Sequence, residues 1–453
     1  MMKRIIIAAN FPQVEILSSI IESSFVDKIC LITNVRENPV LERISKSEKI
    51  LEIWDYFETQ NSCPDGDTDS VEISTESYNR VAHLILIALD MLDRNDHKIF
   101  SKYKSRRDLV YKLIGYCLGI FKKHDINLLI FNSTPHTIFH FCLYIASEIQ
   151  NVQRLMFYRF PIVEGIEPSY YCYTDLLNHR ESMIKHEPSD RLIEYFNKKS
   201  ELFNLSFTGT TKPTKITIKR KLTYLRKELS KVWTPQMGFS GLSFALRKHL
   251  KDKTANYSLP VANVSCEYVF FPLHFQPECS TNPLGGRFRD QIAAIRFLQK
   301  KLDKKYQIII KPHPRQSTIT LNYKEIIDQR TKLAPSHIST CNLVQNSQGV
   351  AVITGTTGFF AAINGIPVIC FGHIFFEDFS NVLKIRNEND GDKINTFLKT
   401  KTKNNKDVQN HLLSLSKFSI YGARDNRYIE NQNINVQENN SLYYNFIKKF
   451  IEN

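Results

Sequence analysis

The segment GVAVITGTTGFFAAINGIPVICFG at 349–372 has the pattern of a buried strand, a short turn, an apolar helix and a second buried strand. β-Branched residues form the first strand, and an apolar run from Phe359 to Ile363 indicates the helix. The pattern predicts a parallel α/β sheet. The first amides of a helix have no internal partner and its dipole favours negative charge, so the turn is suited to a phosphate. The turn consists of Thr354, Gly355, Thr356, Thr357 and Gly358.

A second strand-like run, from Tyr306 to Ile310, ends in a cluster of polar and basic residues. In open α/β sheets ligands bind outside the carboxyl ends of strands. The prolines on either side of His313 restrict the backbone there and would hold the imidazole in one direction. We therefore predict that this end of the strand shares a nucleotide-phosphate site with the turn. The residues concerned are Lys311, His313, Pro314 and Arg315.

A third strand is predicted from Tyr268 to Leu273, followed by a polar loop and an amphipathic helix from Arg289 to Leu302. Gly285 and Gly286 permit a sharp backbone path within that loop. Together, the three segments describe half of a doubly wound α/β unit with its polar groups on one edge. The polar side chains of the loop are His274, Gln276, Glu278, Ser280 and Thr281.

The segments LHFQPECSTNPLGGRFRDQ, IIIKPHPRQ and TGTTGFFAAINGIPVICFG together resemble the bacterial capsule and surface polysaccharide biosynthesis family, which includes β-Kdo transferases. Its wider relatives are GT-B enzymes, including sialyltransferases, that use CMP-activated sugars. The resemblance implies that His313 and Pro314 bind the nucleotide and that Thr356 and Thr357 bind its phosphate. With these four we predict a donor site that also includes Lys311, Arg315, Gln276, Ser280, Thr354, Gly355 and Gly358.

The same resemblance makes Glu278 the first catalytic candidate, although this chain has Glu where the family has Asp. A carboxylate here can attack the anomeric carbon in a retaining reaction or act as a base in an inverting one. In the N-terminal half, His136 follows a predicted strand and is the second candidate. Glu164 is the third, on the acceptor side, although Val163 occupies the first position of the acidic pair found in sialyltransferases.

A length of 453 residues suits two α/β domains, and strand-like runs alternate with helical segments in the N-terminal half as well. We predict a GT-B fold, with two Rossmann-like domains whose parallel sheets face a central cleft. The predicted division is an acceptor domain at 1–210, a basic linker at 211–255, a donor-binding domain at 256–435 and a C-terminal helix at 436–453. We expect that terminal helix to return to the first domain.

Much of the formal net charge of +14 comes from residues 212–253, which contain twelve Lys or Arg residues and two acidic ones. Apolar residues recur there at helical spacing, as in helices that lie on an anionic membrane surface, although packing against the core is equally compatible. Nucleic-acid binding is not predicted, because no known module accompanies the charge. The apolar run near the N-terminus is typical of a first strand and not of a signal peptide. We expect a cytoplasmic protein, peripheral at the inner face of the membrane.

These observations predict a glycosyltransferase of capsule or surface polysaccharide biosynthesis that transfers a sugar to a glycan or lipid-linked oligosaccharide acceptor. The resemblance implies a CMP-sugar donor, with Kdo or a related ulosonic acid as the sugar. No cofactor or metal is expected, since basic side chains and a helix dipole can stabilise the departing phosphate. Two alternatives stay open: a glycerophosphotransferase that uses CDP-glycerol, and a non-catalytic glycan-assembly protein.

Overall fold

The computed structural model describes residues 2–8, 14–33, 44–55, 70–95, 103–160, 169–187, 190, 193–194, 265–275, 280–313, 326–335, 337–399, 405–423, 429 and 434–452. These residues form two β-sheets flanked by helices. The basic linker predicted at 211–255 lies outside the described residues. None of the described helices is long and apolar enough to cross a membrane.

The first sheet has seven described strands in the order β13-β6-β5-β4-β1-β2-β3, six from the N-terminal half and β13 from near the end of the described chain. Strands β1 to β5 are parallel to one another, whereas β6 pairs antiparallel with β5 and with β13. The bounds are β1 (Lys3–Ala8), β2 (Val26–Thr33), β3 (Ile50–Asp55), β4 (Leu128–Phe131), β5 (Gln153–Arg159), β6 (Ser169–Tyr173) and β13 (Ile420–Tyr421).

The second sheet has six described strands in the order β12-β11-β10-β7-β8-β9, and all of them are parallel. Because the chain runs from β7 to β8 and then crosses back to β10, the topological switch point lies between β7 and β10. The bounds are β7 (Tyr268–Pro272), β8 (Gln307–Lys311), β9 (Thr331–Leu333), β10 (Gly349–Val352), β11 (Val368–Cys370) and β12 (Val382–Lys384).

Helices pack on the faces of both sheets, as the alternating sequence pattern predicts. In the N-terminal half the described helices are α1 (Val14–Glu22), α2 (Thr75–Asn95), α3 (Tyr103–His124) and α4 (Ile138–Gln150). Those that follow are α5 (Gln291–Lys301), α6 (Thr340–Gln345), α7 (Thr356–Ile363), α8 (Glu388–Asp392), α9 (Ile394–Lys399), α10 (Asn405–Ser416) and α11 (Val436–Glu452).

The end of the chain returns to the first sheet, as expected for the terminal helix. Tyr443 of α11 is fully buried and stacks on Tyr170 of β6, with 4.5 Å between the ring centroids. β13 joins the same sheet although it falls within 256–435, the range predicted for the donor-binding domain. The remaining domain boundaries stay predictions.

Contacts between side chains connect the two halves. Arg180 forms an ion pair with Asp378 at 2.9 Å, and Arg289 forms another with Asp90. Phe375 inserts between the halves and meets the Phe160 ring edge-on, with 4.9 Å between centroids. The predicted fold class, two Rossmann-like domains in the GT-B arrangement, is confirmed. Strands β6 and β13 are the antiparallel part of a first sheet that is otherwise parallel, as a mainly parallel prediction allows.

Candidate functional site

The predicted phosphate turn, residues 354–358, follows β10 and includes the first three residues of α7, at the switch point of the second sheet. α7 begins at Thr356, three residues before the apolar run by which the sequence indicated it. Its N-cap residue Gly355 is extended and provides no side-chain hydrogen bond to the helix. The helix therefore presents its first turn of amides, with Thr356 and Thr357, at the carboxyl end of β10, where an anion gains from the dipole.

A buried histidine at the end of β7 holds this turn in place. The Thr354 amide donates to Nε2 of His274 at 3.4 Å, and Nδ1 of His274 lies 3.4 Å from the Ser280 hydroxyl. Burial lowers the pKa of His274 from 6.5 to about 4, and the charge of His313 adds to the effect. Because the imidazole is neutral and Nε2 accepts, Nδ1 carries the proton and donates to Ser280. His274 thus links the loop after β7 to the turn after β10.

Two further contacts tighten the link. The Thr354 hydroxyl donates to the Ser280 carbonyl. A Cβ atom on Gly355 would lie 3.1 Å from Cε1 of His274, so glycine lets the ring approach the turn closely. Ser280, Thr354 and Gly355, three predicted donor-site residues, are therefore brought together around His274.

The backbone of His274 is itself clamped by Gln291, the first residue of α5, which is fully buried. The His274 amide donates to Gln291 Oε1 at 2.7 Å, and Gln291 Nε2 donates to the His274 carbonyl at 3.3 Å. The sequence predicted His274 only as one polar residue of the loop, and it missed Gln291. Their positions in the sequence could have indicated them. His274 lies two residues after β7, and Gln291 is the first residue of the helix that follows the loop.

The element after β8 reaches the same region through His313. Its ring lies against Phe275, with 5.7 Å between centroids, and it is close enough to lower the pKa of His274. The Lys311 ammonium instead donates to the carbonyl of Ile338 in the loop after β9, and burial lowers the pKa of Lys311. Four predicted site residues on these loops, Gln276, Glu278, Pro314 and Arg315, lie outside the described residues.

His136, the candidate from the first sheet, lies beyond the carboxyl end of β4. Its Nδ1 donates to the Thr134 carbonyl at 2.7 Å, which leaves the lone pair of the neutral ring on Nε2, as in a general base. The Thr134 hydroxyl is fixed in turn by Tyr173 at 2.8 Å. Glu164, the other acceptor-side candidate, lies outside the described residues.

A family model described as capsule polysaccharide biosynthesis protein matches residues 281–380. The matched range contains His313 and the whole of the turn at 354–358. The resemblance indicated by the motifs is therefore confirmed. No curated protein matches the chain.

Solved structures with a similar course of the chain include two transferases from Thermosulfurimonas dismutans KpsC. The beta Kdo 2,7 transferase is 12% identical, with a TM-score of 0.34, and the match covers 67% of this chain and 81% of that one. The beta Kdo 2,4 transferase is 13% identical, with a TM-score of 0.32, covering 64% and 87%. The UDP-GlcNAc 2-epimerase of Methanocaldococcus jannaschii is 13% identical, with a TM-score of 0.25, covering 89% and 94%. Because these identities and TM-scores are low, the fold is assigned from the order and direction of the strands in the two sheets.

Proposed function

We propose that this chain, which carries the capsule polysaccharide biosynthesis segment at 281–380, is a glycosyltransferase that moves a sugar from a nucleotide donor to a glycan acceptor. The observation that carries the proposal is the α7 N-terminus at the switch point, held there by His274. Such a site suits the phosphate of a nucleotide sugar, and His313, which follows β8 beside β7, is the proposed contact to the nucleotide.

The proposed donor is a CMP-sugar, with Kdo or a related ulosonic acid as the sugar, because the segments that resemble CMP-sugar enzymes coincide with this site. As the bond to the sugar breaks, negative charge develops on the phosphate. The amides and hydroxyls of Thr356 and Thr357, together with the dipole of α7, stabilise that charge. This stabilisation lowers the barrier without a change in the protonation of any side chain.

Two side chains are the proposed catalytic groups. Glu278 follows β7 in sequence and is the first candidate for the nucleophile or the base. His136, with its Nδ1 fixed by Thr134, is the candidate that removes a proton from the acceptor hydroxyl. Acceptor binding is assigned mainly to the N-terminal half, whose strand ends carry His136.

Calorimetric titration with CMP tests the donor site. Loss of a hydrogen bond to a charged phosphate costs about 1.5–3 kcal/mol, so His313→Ala and Thr357→Val should each weaken CMP binding by about 10- to 100-fold. Thr340→Val is the matched control, because Thr340, like Thr357, lies in the first turn of a helix in the same half. Equal CMP affinity in all four proteins would overturn the proposed site.

Turnover tests the reaction itself. Incubation with CMP-sugars and a capsule-derived oligosaccharide should give a glycosidic product, and Glu278→Gln should abolish it while CMP still binds. A phosphodiester product from CDP-glycerol would instead identify a glycerophosphotransferase. The absence of turnover with every nucleotide sugar would identify an assembly protein.

A further inference from the structure

His136, the proposed base on the acceptor side, lies in a segment without regular secondary structure. Residues 132–137 connect β4 to α4 and belong to neither a strand nor a helix. The hydrogen bonds of a helix or a strand therefore do not fix the imidazole ring, although the direction in which a base points decides which proton it can remove. Other contacts in the fold have to hold His136 in place.

A hydrogen bond within the segment sets the protonation of the ring. His136 Nδ1 donates to the Thr134 carbonyl at 2.7 Å, and a carbonyl oxygen can only accept. The proton of the neutral ring is then on Nδ1 and the lone pair is on Nε2, whereas a neutral imidazole without such a bond exchanges between both tautomers. The direction of the Thr134 carbonyl therefore decides which nitrogen of His136 can act as a base.

The Thr134 side chain is anchored from another strand. Its hydroxyl lies 2.8 Å from the hydroxyl of Tyr173, the last residue of β6, and both residues are buried. β5 lies between β4 and β6 in the sheet, so this bond reaches across a strand. Because the hydroxyl and the carbonyl belong to one residue, a fixed hydroxyl restricts rotation of the peptide between Thr134 and Pro135. A bond between residues 39 positions apart thus fixes the acceptor of the His136 proton.

The Tyr173 ring is itself held by close packing. It stacks on the His179 ring, with 4.2 Å between the centroids and 5° between the planes. His179 Nε2 is hydrogen-bonded to the Tyr171 hydroxyl at 2.6 Å. Burial holds the pKa of His179 well below its usual value, so the ring is neutral and adds no charge beside Tyr173. These buried rings keep the Tyr173 hydroxyl directed at Thr134.

We propose that Tyr173 is a positioning residue for His136 and that, through Thr134, it holds the imidazole in the tautomer with its lone pair on Nε2. The inference deepens the proposed function, on which it rests, by naming the residue that prepares the base on the acceptor side. A base held in one tautomer is ready when the acceptor binds. In the other tautomer, Nε2 presents a proton to the acceptor hydroxyl and cannot remove one.

Long-range proton–nitrogen NMR of protein labelled at histidine tests the proposal without any substrate, because it reports which ring nitrogen carries the proton. At a pH where the ring is neutral, His136 should carry its proton on Nδ1. His136→Gln identifies its signals among the 13 histidines of the chain. In Tyr173→Phe, which keeps the ring and removes the hydroxyl, the tautomer ratio should shift by about 3- to 10-fold toward Nε2–H, because one neutral hydrogen bond contributes on that scale. An unchanged ratio, or a proton on Nε2 in the unaltered protein, would overturn the proposal.

Substitutions of Thr134 separate the hydroxyl contact from packing. Thr134→Val removes the hydroxyl at nearly the same volume and should shift the tautomer ratio as much as Tyr173→Phe does. The double variant should shift it no further, because both substitutions remove the same bond. Thr134→Ser keeps the hydroxyl and should retain the original ratio. Additive shifts in the double variant, or equal shifts in Thr134→Ser and Thr134→Val, would refute a role for this bond.

Tyr268→Phe is the matched control. Tyr268 is also a buried tyrosine, and its hydroxyl donates to the Leu343 carbonyl at 2.9 Å, but it belongs to the second sheet. Loss of that bond should lower stability and leave the tautomer ratio of His136 unchanged. An equal shift in Tyr268→Phe would show a general effect of destabilisation and would contradict the assignment of Tyr173.

Turnover separates this inference from the proposed function. If the protein transfers a sugar, Tyr173→Phe should lower kcat by about 3- to 10-fold and leave KM for the donor unchanged, since the tautomer affects proton removal and not donor binding. If the tautomer shifts as expected but no nucleotide sugar is turned over, the proposed function fails while the positioning of His136 by Tyr173 stands. If turnover occurs and the tautomer ratio does not depend on Tyr173, the positioning role fails and the transferase function stands.

Discussion

Replacement of Gln291 by leucine removes both hydrogen bonds that clamp the backbone of His274. The His274 amide and carbonyl are buried, and leucine offers neither an acceptor nor a donor. An unpaired buried polar group costs about 1–3 kcal/mol. Because the 2.7 Å bond is short and the 3.3 Å bond is long, we expect the free energy of unfolding to fall by about 2–4 kcal/mol.

The substitution should also disturb the structure of the phosphate turn. Once its backbone is released, His274 no longer holds the Thr354 amide, so CMP binding should weaken as well. Urea unfolding followed by circular dichroism measures the first effect, and calorimetric titration with CMP measures the second.

Gln299→Leu is the matched control on the same helix. Gln299 Nε2 donates to the Ile326 carbonyl at 2.9 Å and to Thr331 Oγ1 at 2.8 Å, beside β9 and not beside His274. Gln299→Leu should reduce stability without changing CMP affinity. The reasoning is refuted if Gln291→Leu changes stability by less than about 0.5 kcal/mol, or if both variants bind CMP equally.

Three further predictions concern stability. Because His140 and His274 have pKa values of about 3 and 4 in the fold and titrate near 6.5 when unfolded, the unfolded chain binds more protons below pH 6.5. Stability should therefore fall from pH 6.5 toward pH 4, by up to about 3 kcal/mol for His274, and His140→Gln should flatten the slope in urea titrations. Gly358→Ala should destabilise the protein by about 1–3 kcal/mol, since its Cβ would lie 2.5 Å from a methyl of Val352, and adding Val352→Ala should restore the melting temperature. Asn439→Ala leaves the Ala423 amide unpaired, so α11 should become susceptible to limited proteolysis, and an unchanged digestion pattern would contradict this role.

The second half of the fold was largely predictable from local pattern. A parallel strand inside a sheet is buried on both faces and therefore consists of consecutive apolar, often β-branched residues. This pattern predicted β10 and predicted β8 within one residue of its observed bounds. Glycine at 355 and 358 marked the turn between strand and helix. These signals are local, and neighbouring residues determine them.

Long-range pairing was harder to predict. The two-residue strand β13 is too short to show a period, and only its antiparallel contact with β6 assigns it to the first sheet. The clamp of Gln291 on His274 joins residues 17 positions apart, and no spacing in the sequence indicates it. A cavity of about 530 Å³ between α2 and residues 371–386 depends on how the two halves pack, which no local pattern indicates.

By itself, the sequence determined the elements and the chemistry that each strand end carries, because propensity, turn residues and side-chain type are local properties. It determined that a histidine, threonines and glycines would follow the strands of the second half, and that the phosphate turn would begin a helix. Only the tertiary structure decided which of these groups meet. The crossover at the switch point brings the ends of β7 and β10 together, so a buried, neutral His274 orients the turn. The packing of one half on the other creates a cavity lined by residues about 100 to 300 positions apart, because burial depends on the whole fold.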